Sequence, residues 1–127
     1  MPTTDRTTTI HTLREQVRAF ITARDWDQFH APKDLAIALS IEAGELLEHF
    51  RFRTDSEITE RLNTPDFRQD ISDELADVLY FVLAISNKLD IDLTTALALK
   101  MAVSAQRYPI EKARGKNLKY TAYITED

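Results

Sequence analysis

Glu42 and Glu45 stand three residues apart, and Glu74 and Asp77 repeat that spacing further along the chain. Stepped at about 100° per residue, each pair falls in the middle of an apolar stripe of the kind a helix normally buries. Leu35, Ala38, Leu39, Leu46 and His49 share the face of the first pair; Phe67, Ile71, Val78, Phe81 and Ile85 share that of the second. Residues at this spacing are neighbours on a helix, with Cβ atoms roughly 5–6 Å apart. If two such helices pack at roughly 8–10 Å, four carboxylates converge. Removing a carboxylate from water costs several kcal/mol unless something pairs it. An apolar core offers no partner to four negative charges, whereas a hard cation that takes carboxylate oxygens does. On one helix the pair is compatible with solvated or salt-bridged glutamates; its recurrence on a second helix favours a metal site made of Glu42, Glu45, Glu74 and Asp77. Di-iron bundles use Glu-x-x-His, which is missing here because Glu45 and His49 are four apart. A histidine-free carboxylate set prefers Mg²⁺, with Mn²⁺ able to substitute.

Two further groups carry chemistry. From Lys100 to Lys119 six basic residues (Lys100, Arg107, Lys112, Arg114, Lys116, Lys119) face a single acid, Glu111, a local reversal in an acidic protein. The run is either a solubilising tail or a cationic clamp over phosphates, with Gly115 allowing a tight turn. Lys100 and Ser104 sit within an apolar stripe, where a lysine commonly reaches out to the surface. The segment Asp25-Trp26-Asp27-Gln28-Phe29-His30, just before Pro32, holds the chain's one tryptophan. It is either a loop whose aromatics cap the end of a bundle or a base-stacking wall with Gln28 or His30 supplying hydrogen bonds. Carboxylate-held Mg²⁺ beside a cationic segment points to phosphoryl chemistry on a small anionic substrate.

Four helices position these groups. The first is expected over about residues 9–24 on the stripe Ile10, Leu13, Val17, Phe20 and Ile21. Thr12 and Glu15 have the spacing of a capping box, though Thr8 or Thr9 serves equally as the start. The second is expected over about residues 33–52. Its interior Gly44 costs about 1 kcal/mol against alanine and lies away from Glu42, so close packing of another helix is one explanation. Residues 53–64 read as a connector with a short helical turn. The third helix spans about Pro65 to Lys88, with Pro65 in its first turn and Thr64 as cap. After the turn Asp90-Ile91-Asp92, with Asp92 as cap, the fourth spans about Leu93 to Arg107. Residues 108–127 read as irregular. The fold expected is all-α, a four-helix bundle core with an irregular basic C-terminal tail, forming one domain over residues 1–127 with residues 1–8 and 122–127 frayed.

Composition narrows the classes. The chain has 127 residues, 43% hydrophobic and 29% charged, enough for one modest core. It has no cysteine, which excludes disulfides and thiolate metal sites and fits a reducing cytosol. The net charge of −5 argues against binding a nucleic acid polymer. No apolar run suggests a membrane span or a signal peptide. A cytoplasmic location is expected.

The residues Asp25-Trp26-Asp27-Gln28-Phe29-His30 with Pro32, Glu42-Ala43-Gly44-Glu45-Leu46, Asp73-Glu74-Leu75-Ala76-Asp77-Val78-Leu79, Lys100-Met101, Gln106-Arg107-Tyr108-Pro109, and Arg114-Gly115 with Lys119-Tyr120-Thr121 carry a resemblance over about residues 10–121. The sequence resembles the MazG-like, all-α nucleoside triphosphate pyrophosphohydrolases, and more closely their dCTP pyrophosphatase branch. The resemblance implies hydrolysis of the α–β phosphate bond to a nucleoside monophosphate and pyrophosphate, a house-cleaning activity on the nucleotide pool. It implies Glu42, Glu45, Glu74 and Asp77 as Mg²⁺ ligands, with Glu42 or Glu45 acting on the attacking water. It also implies Lys100, Arg107, Tyr108 and Lys119 near the phosphates or sugar, Trp26 and His30 on the base side, and assembly as a homodimer or homotetramer. Two positions depart from the pattern. Ile41 stands where many relatives carry a second glutamate, and Ser104 where many carry asparagine, keeping one hydrogen-bonding hydroxyl. The competing class is a non-catalytic helical module whose acids bind a structural ion or a basic partner.

Overall fold

The computed structural model describes residues 3–124; Met1, Pro2 and residues 125–127, parts of the expected frayed ends, lie outside the described residues. The described residues form six α-helices and two short 3-10 turns, with no strand, so the all-α expectation holds. The chain divides into two compact units, one ending at Asp90 and one beginning at Ile91. No helix among the described residues is long and apolar enough to cross a membrane.

In the first unit α1 (Ile10–Ala23) starts at Thr9, whose hydroxyl accepts from the Thr12 N–H at 3.1 Å. The Thr12–Glu15 capping box does not form, and Glu15 pairs with Arg18 at 3.2 Å instead. Ahead of it, Thr4 to Thr7 close a hydrogen-bonded turn. α2 (Pro32–Glu48) opens on a proline at its first position, preceded by an extended Ala31. It ends at Glu48, four residues short of the sequence expectation, because the chain turns away: Phe52 has φ +61° and its ring is 90% exposed, with the Arg51 guanidinium 4.2 Å above it. α3 (Asp55–Arg61) is the connector's helical turn, held by a full capping box between Thr54 and Glu57. α4 (Pro65–Leu89) has Pro65 in its first turn, and Thr64 stands at its N-cap as expected but makes no side-chain capping bond. The Thr64 hydroxyl donates to the Arg61 carbonyl at 2.6 Å, satisfying the end of α3.

α4 packs along α2 and against α1. Ile21, Leu35 and Ala84, one from each helix, form the buried centre, with Val17, Tyr80, Phe81 and Ile85 packed around it. Nothing packs closely on Gly44: beyond its own helix no heavy atom lies within 4 Å of where its Cβ would be. The helix-packing explanation of that glycine therefore fails within the chain. Ile37 and Ile41, on the same stripe of α2, are exposed, as are Leu75 and Leu79 on α4.

In the second unit α5 (Leu93–Arg107) is capped by Asp92, whose carboxylate accepts from the Thr95 N–H at 2.9 Å. The segment expected to be irregular contains α6 (Ile110–Ala113) and a 3-10 turn at Tyr120–Tyr123. Aromatic packing accounts for that order. Tyr108 meets Tyr120 and Tyr123 edge-on at 6.3 and 6.0 Å, and Lys112 donates to the Tyr123 carbonyl at 3.1 Å.

Candidate metal centre

α2 sets Glu42 and Glu45 one turn apart, and α4 lies alongside with Glu74 facing them. One carboxylate oxygen from each of the three lies within 4.8 Å of the others. Glu42 and Glu74 are half-buried and Glu45 is exposed. Asp77, one turn beyond Glu74, is exposed and stands outside this close group. It still acts on the group through its charge, as Glu42 shows. The Glu42 carboxyl is pushed up to about 7. Burial is the main cause, followed by the hydrogen bond to Glu45 and then the negative charges of Glu45, Asp77 and Glu74.

Two oxygens of the group have no counterpart. Glu42 Oε2 and Glu74 Oε2 are buried without any hydrogen-bond partner. Buried carboxylate oxygens are rarely left so, because the lost hydration is not returned. A hard divalent cation supplies the missing partner, and an all-oxygen donor set suits Mg²⁺ or Mn²⁺. The residues present therefore fit such an ion. A fourth side chain meets the cluster. His49 Nε2 lies 3.4 Å from Glu74 Oε1. Sequence reasoning placed His49 on the face of Glu42 and Glu45 but assigned it no part; the signal was its position one turn past Glu45.

The aromatic loop is a 3-10 turn, Asp27–Phe29, bound to α4 by Lys88 and Asp27 at 3.2 Å. Trp26 stands edge-on to Phe20 at 5.9 Å and remains 41% exposed. The Gln28 amide is spent within the loop, donating to both the carbonyl and the carboxylate of Asp25 at 3.0 Å. His30 is half-buried, its Nδ1 has no partner, and it borders a cavity of about 250 Å³ with Ile21, Leu35, Ala84 and Asn87.

The basic residues belong to the second unit. Lys100 and half-buried Ser104 are one turn apart on α5. The Arg107 guanidinium lies 4.6 Å over the Tyr120 ring, next to Tyr108. Gly115 adopts φ +74°, and the segment that follows carries exposed Lys116 and Lys119. The structure thus brings together Arg107 and Tyr108 around Tyr120, and spreads the lysines over the surface.

A family model, that of the MazG-like family, matches residues 37–122, which hold all four acidic positions and the six basic residues from Lys100 to Lys119. The chain belongs to the MazG-like family. It is 38% identical over 113 residues to dCTP pyrophosphatase 1 of Rattus norvegicus and to that of Homo sapiens, covering 89% of this chain. It spans 66% of the length of those two relatives. A solved structure, a pyrophosphatase from Archaeoglobus fulgidus, is 34% identical and superposes with a TM-score of 0.73, covering 79% of this chain and 92% of that one.

Proposed function

We propose that this MazG-like chain is a Mg²⁺-dependent nucleoside triphosphate pyrophosphohydrolase, acting on dCTP or a modified dCTP and releasing the nucleoside monophosphate and pyrophosphate. One observation carries the reading: three glutamates from two helices meet within 4.8 Å, and two of their oxygens are buried without partners. The match of the family model across residues 37–122 supports treating both units as one working domain. The names of the rat and human relatives and of the archaeal structure support the reaction class.

In this reading Glu42, Glu45, Glu74 and Asp77 hold the cation, with Mn²⁺ able to replace Mg²⁺. An ion held there would screen the charge of the triphosphate and lower the pKa of a water. Glu42 or Glu45 orients the attacking water and takes its proton. Lys100, Arg107, Tyr108, Lys116 and Lys119 balance charge on the substrate phosphates, with Ser104 bonding nearby. Trp26 stacks on the base and His30 bonds to its edge. Gln28 contributes through its carbonyl oxygen, since its amide N–H groups already serve Asp25. The enzyme works in the cytoplasm as a homodimer or homotetramer, with neither a nucleic acid polymer nor a membrane as partner, and clears unwanted nucleotides from the pool.

Phosphorus NMR of dCTP incubated with the protein and Mg²⁺ tests this. Signals of dCMP and pyrophosphate are expected. Orthophosphate with dCDP refutes the bond assignment, and no turnover across a nucleotide panel leaves only a binding module.

A further inference from the structure

Glu74 presents two oxygens in unlike surroundings. Oε2 is buried without a partner, whereas Oε1 lies 3.4 Å from His49 Nε2. The imidazole is itself held in place. It is half-buried at the C-terminal end of α2, and its backbone N–H bonds the Leu46 carbonyl at 3.3 Å. Its ring stands edge-on to Phe67 at 6.2 Å, and Phe67 is only 7% exposed and meets Phe50 on another side. The carboxylates that cluster within 4.8 Å do not include His49 among their donors. The histidine touches one ligand of the group without joining it.

We propose that His49 is a positioning residue of the metal centre. Its Nε2–H holds Glu74 Oε1, fixes the carboxylate plane and leaves Oε2 as the oxygen offered to the cation. The inference rests on the metal reading above and adds to it a donor that the pattern of acidic pairs does not contain. The physical warrant is general. A carboxylate free to rotate loses rotamer entropy on binding an ion, whereas one already tethered loses less. Outer partners that orient metal ligands typically contribute about 10–100-fold in metal affinity.

Two substitutions separate the donor from the ring's packing. His49→Leu keeps apolar contact with Phe67 and removes the N–H, while His49→Gln places an amide N–H near the position of Nε2. Calorimetric titration of the metal-free proteins with Mg²⁺ is expected to show binding weakened about tenfold or more in His49→Leu and close to the parent in His49→Gln. Pulsed EPR of the Mn²⁺-loaded parent is expected to show no directly bound nitrogen. Equal affinity in His49→Leu and the parent overturns the positioning role while leaving the metal centre intact. His49→Gln as weak as His49→Leu overturns the donor role, and a nitrogen bound to Mn²⁺ makes His49 a ligand instead. If the parent binds no Mg²⁺ at all, the metal reading and this inference fall together.

Discussion

Arg14 and Asn87 hold each other in both directions: Arg14 Nε donates to Asn87 Oδ1 at 2.9 Å, and Asn87 Nδ2 donates to the Arg14 carbonyl at 2.9 Å. Arg18 adds a third bond to the same Oδ1 at 3.1 Å. One amide thus clamps α1 onto α4 near the buried Ser86. Asn87→Ala is expected to destabilise the protein by about 1–3 kcal/mol, since the part-buried Arg14 guanidinium loses one of its two acceptors and keeps only the Ser86 carbonyl. Urea unfolding measures it, and an unchanged midpoint refutes the clamp.

Metal-free protein should respond to pH through Glu42. Its carboxyl is held at about 7 in the fold against 4.5 in the free side chain. The folded state therefore binds the proton more tightly than the unfolded state does, and this contribution to stability is complete below the lower value and lost as pH rises through the higher. In EDTA, raising the pH from about 5 to about 8 should destabilise the parent more than Glu42→Gln, whose amide does not titrate. Saturating Mg²⁺ should do the opposite, stabilising more at the higher pH because it binds the ionised form. Parallel pH profiles for the two proteins in EDTA count against the assignment.

Glu74→Gln removes a charge and one ligand oxygen while preserving shape. It should lower kcat/KM by at least about a hundredfold, the loss of several kcal/mol of charge stabilisation. It should also abolish the rise in Tm that Mg²⁺ gives the parent. Thermal scans with and without the ion check this independently of turnover; an equal rise in both proteins rejects Glu74 as a ligand.

The acidic pairs were legible because helical period alone places Glu42, Glu45 and Glu74 on inward stripes, and those three do meet. Period fixes direction around an axis but not depth along a packed interface, so it could not tell that Asp77 stays exposed outside the close group. The His49–Glu74 contact depends on how α2 and α4 lie together, which neither helix encodes by itself. Local ends were harder still. Several threonines could begin α1, and only the hydrogen bond to Thr12 N–H selects Thr9. Thr64 had the right place for a cap, but the unsatisfied end of α3 competed for its hydroxyl. The apolar pattern also ran on through Phe50 and Phe52, which hid the end of α2. In the C-terminal segment order comes from tyrosines meeting across separate turns, a signal with no period to detect.

Stacking accepts any base because every base has a π-face, whereas hydrogen bonds to the edge discriminate. Trp26→Ala should therefore raise KM for dCTP, dTTP, dATP and dGTP alike. His30→Ala should narrow the gap in kcat/KM between dCTP and dTTP. Steady-state kinetics on the four nucleotides decide it, and equal values for all four on the parent discard the cytosine preference.

Ile37 and Ile41 leave an exposed apolar stripe beside Gly44, where the fold leaves room for another surface to approach. A homodimer or homotetramer is expected in solution, and Ile41→Asp should shift it toward smaller species. Light scattering at micromolar concentration reads both; a monomeric parent refutes the assembly.

Phe52 carries a conformational cost that its own chain returns only in part. A side chain held at φ +61° costs about 1–2 kcal/mol that glycine would not. Its ring regains little by burial at 90% exposure, and the Arg51 guanidinium above it returns only about 0.5–1 kcal/mol. For folding alone, glycine would be the less costly residue at this turn. The turn therefore leaves an aromatic ring facing solvent, where it is free to meet a surface outside its own chain's core.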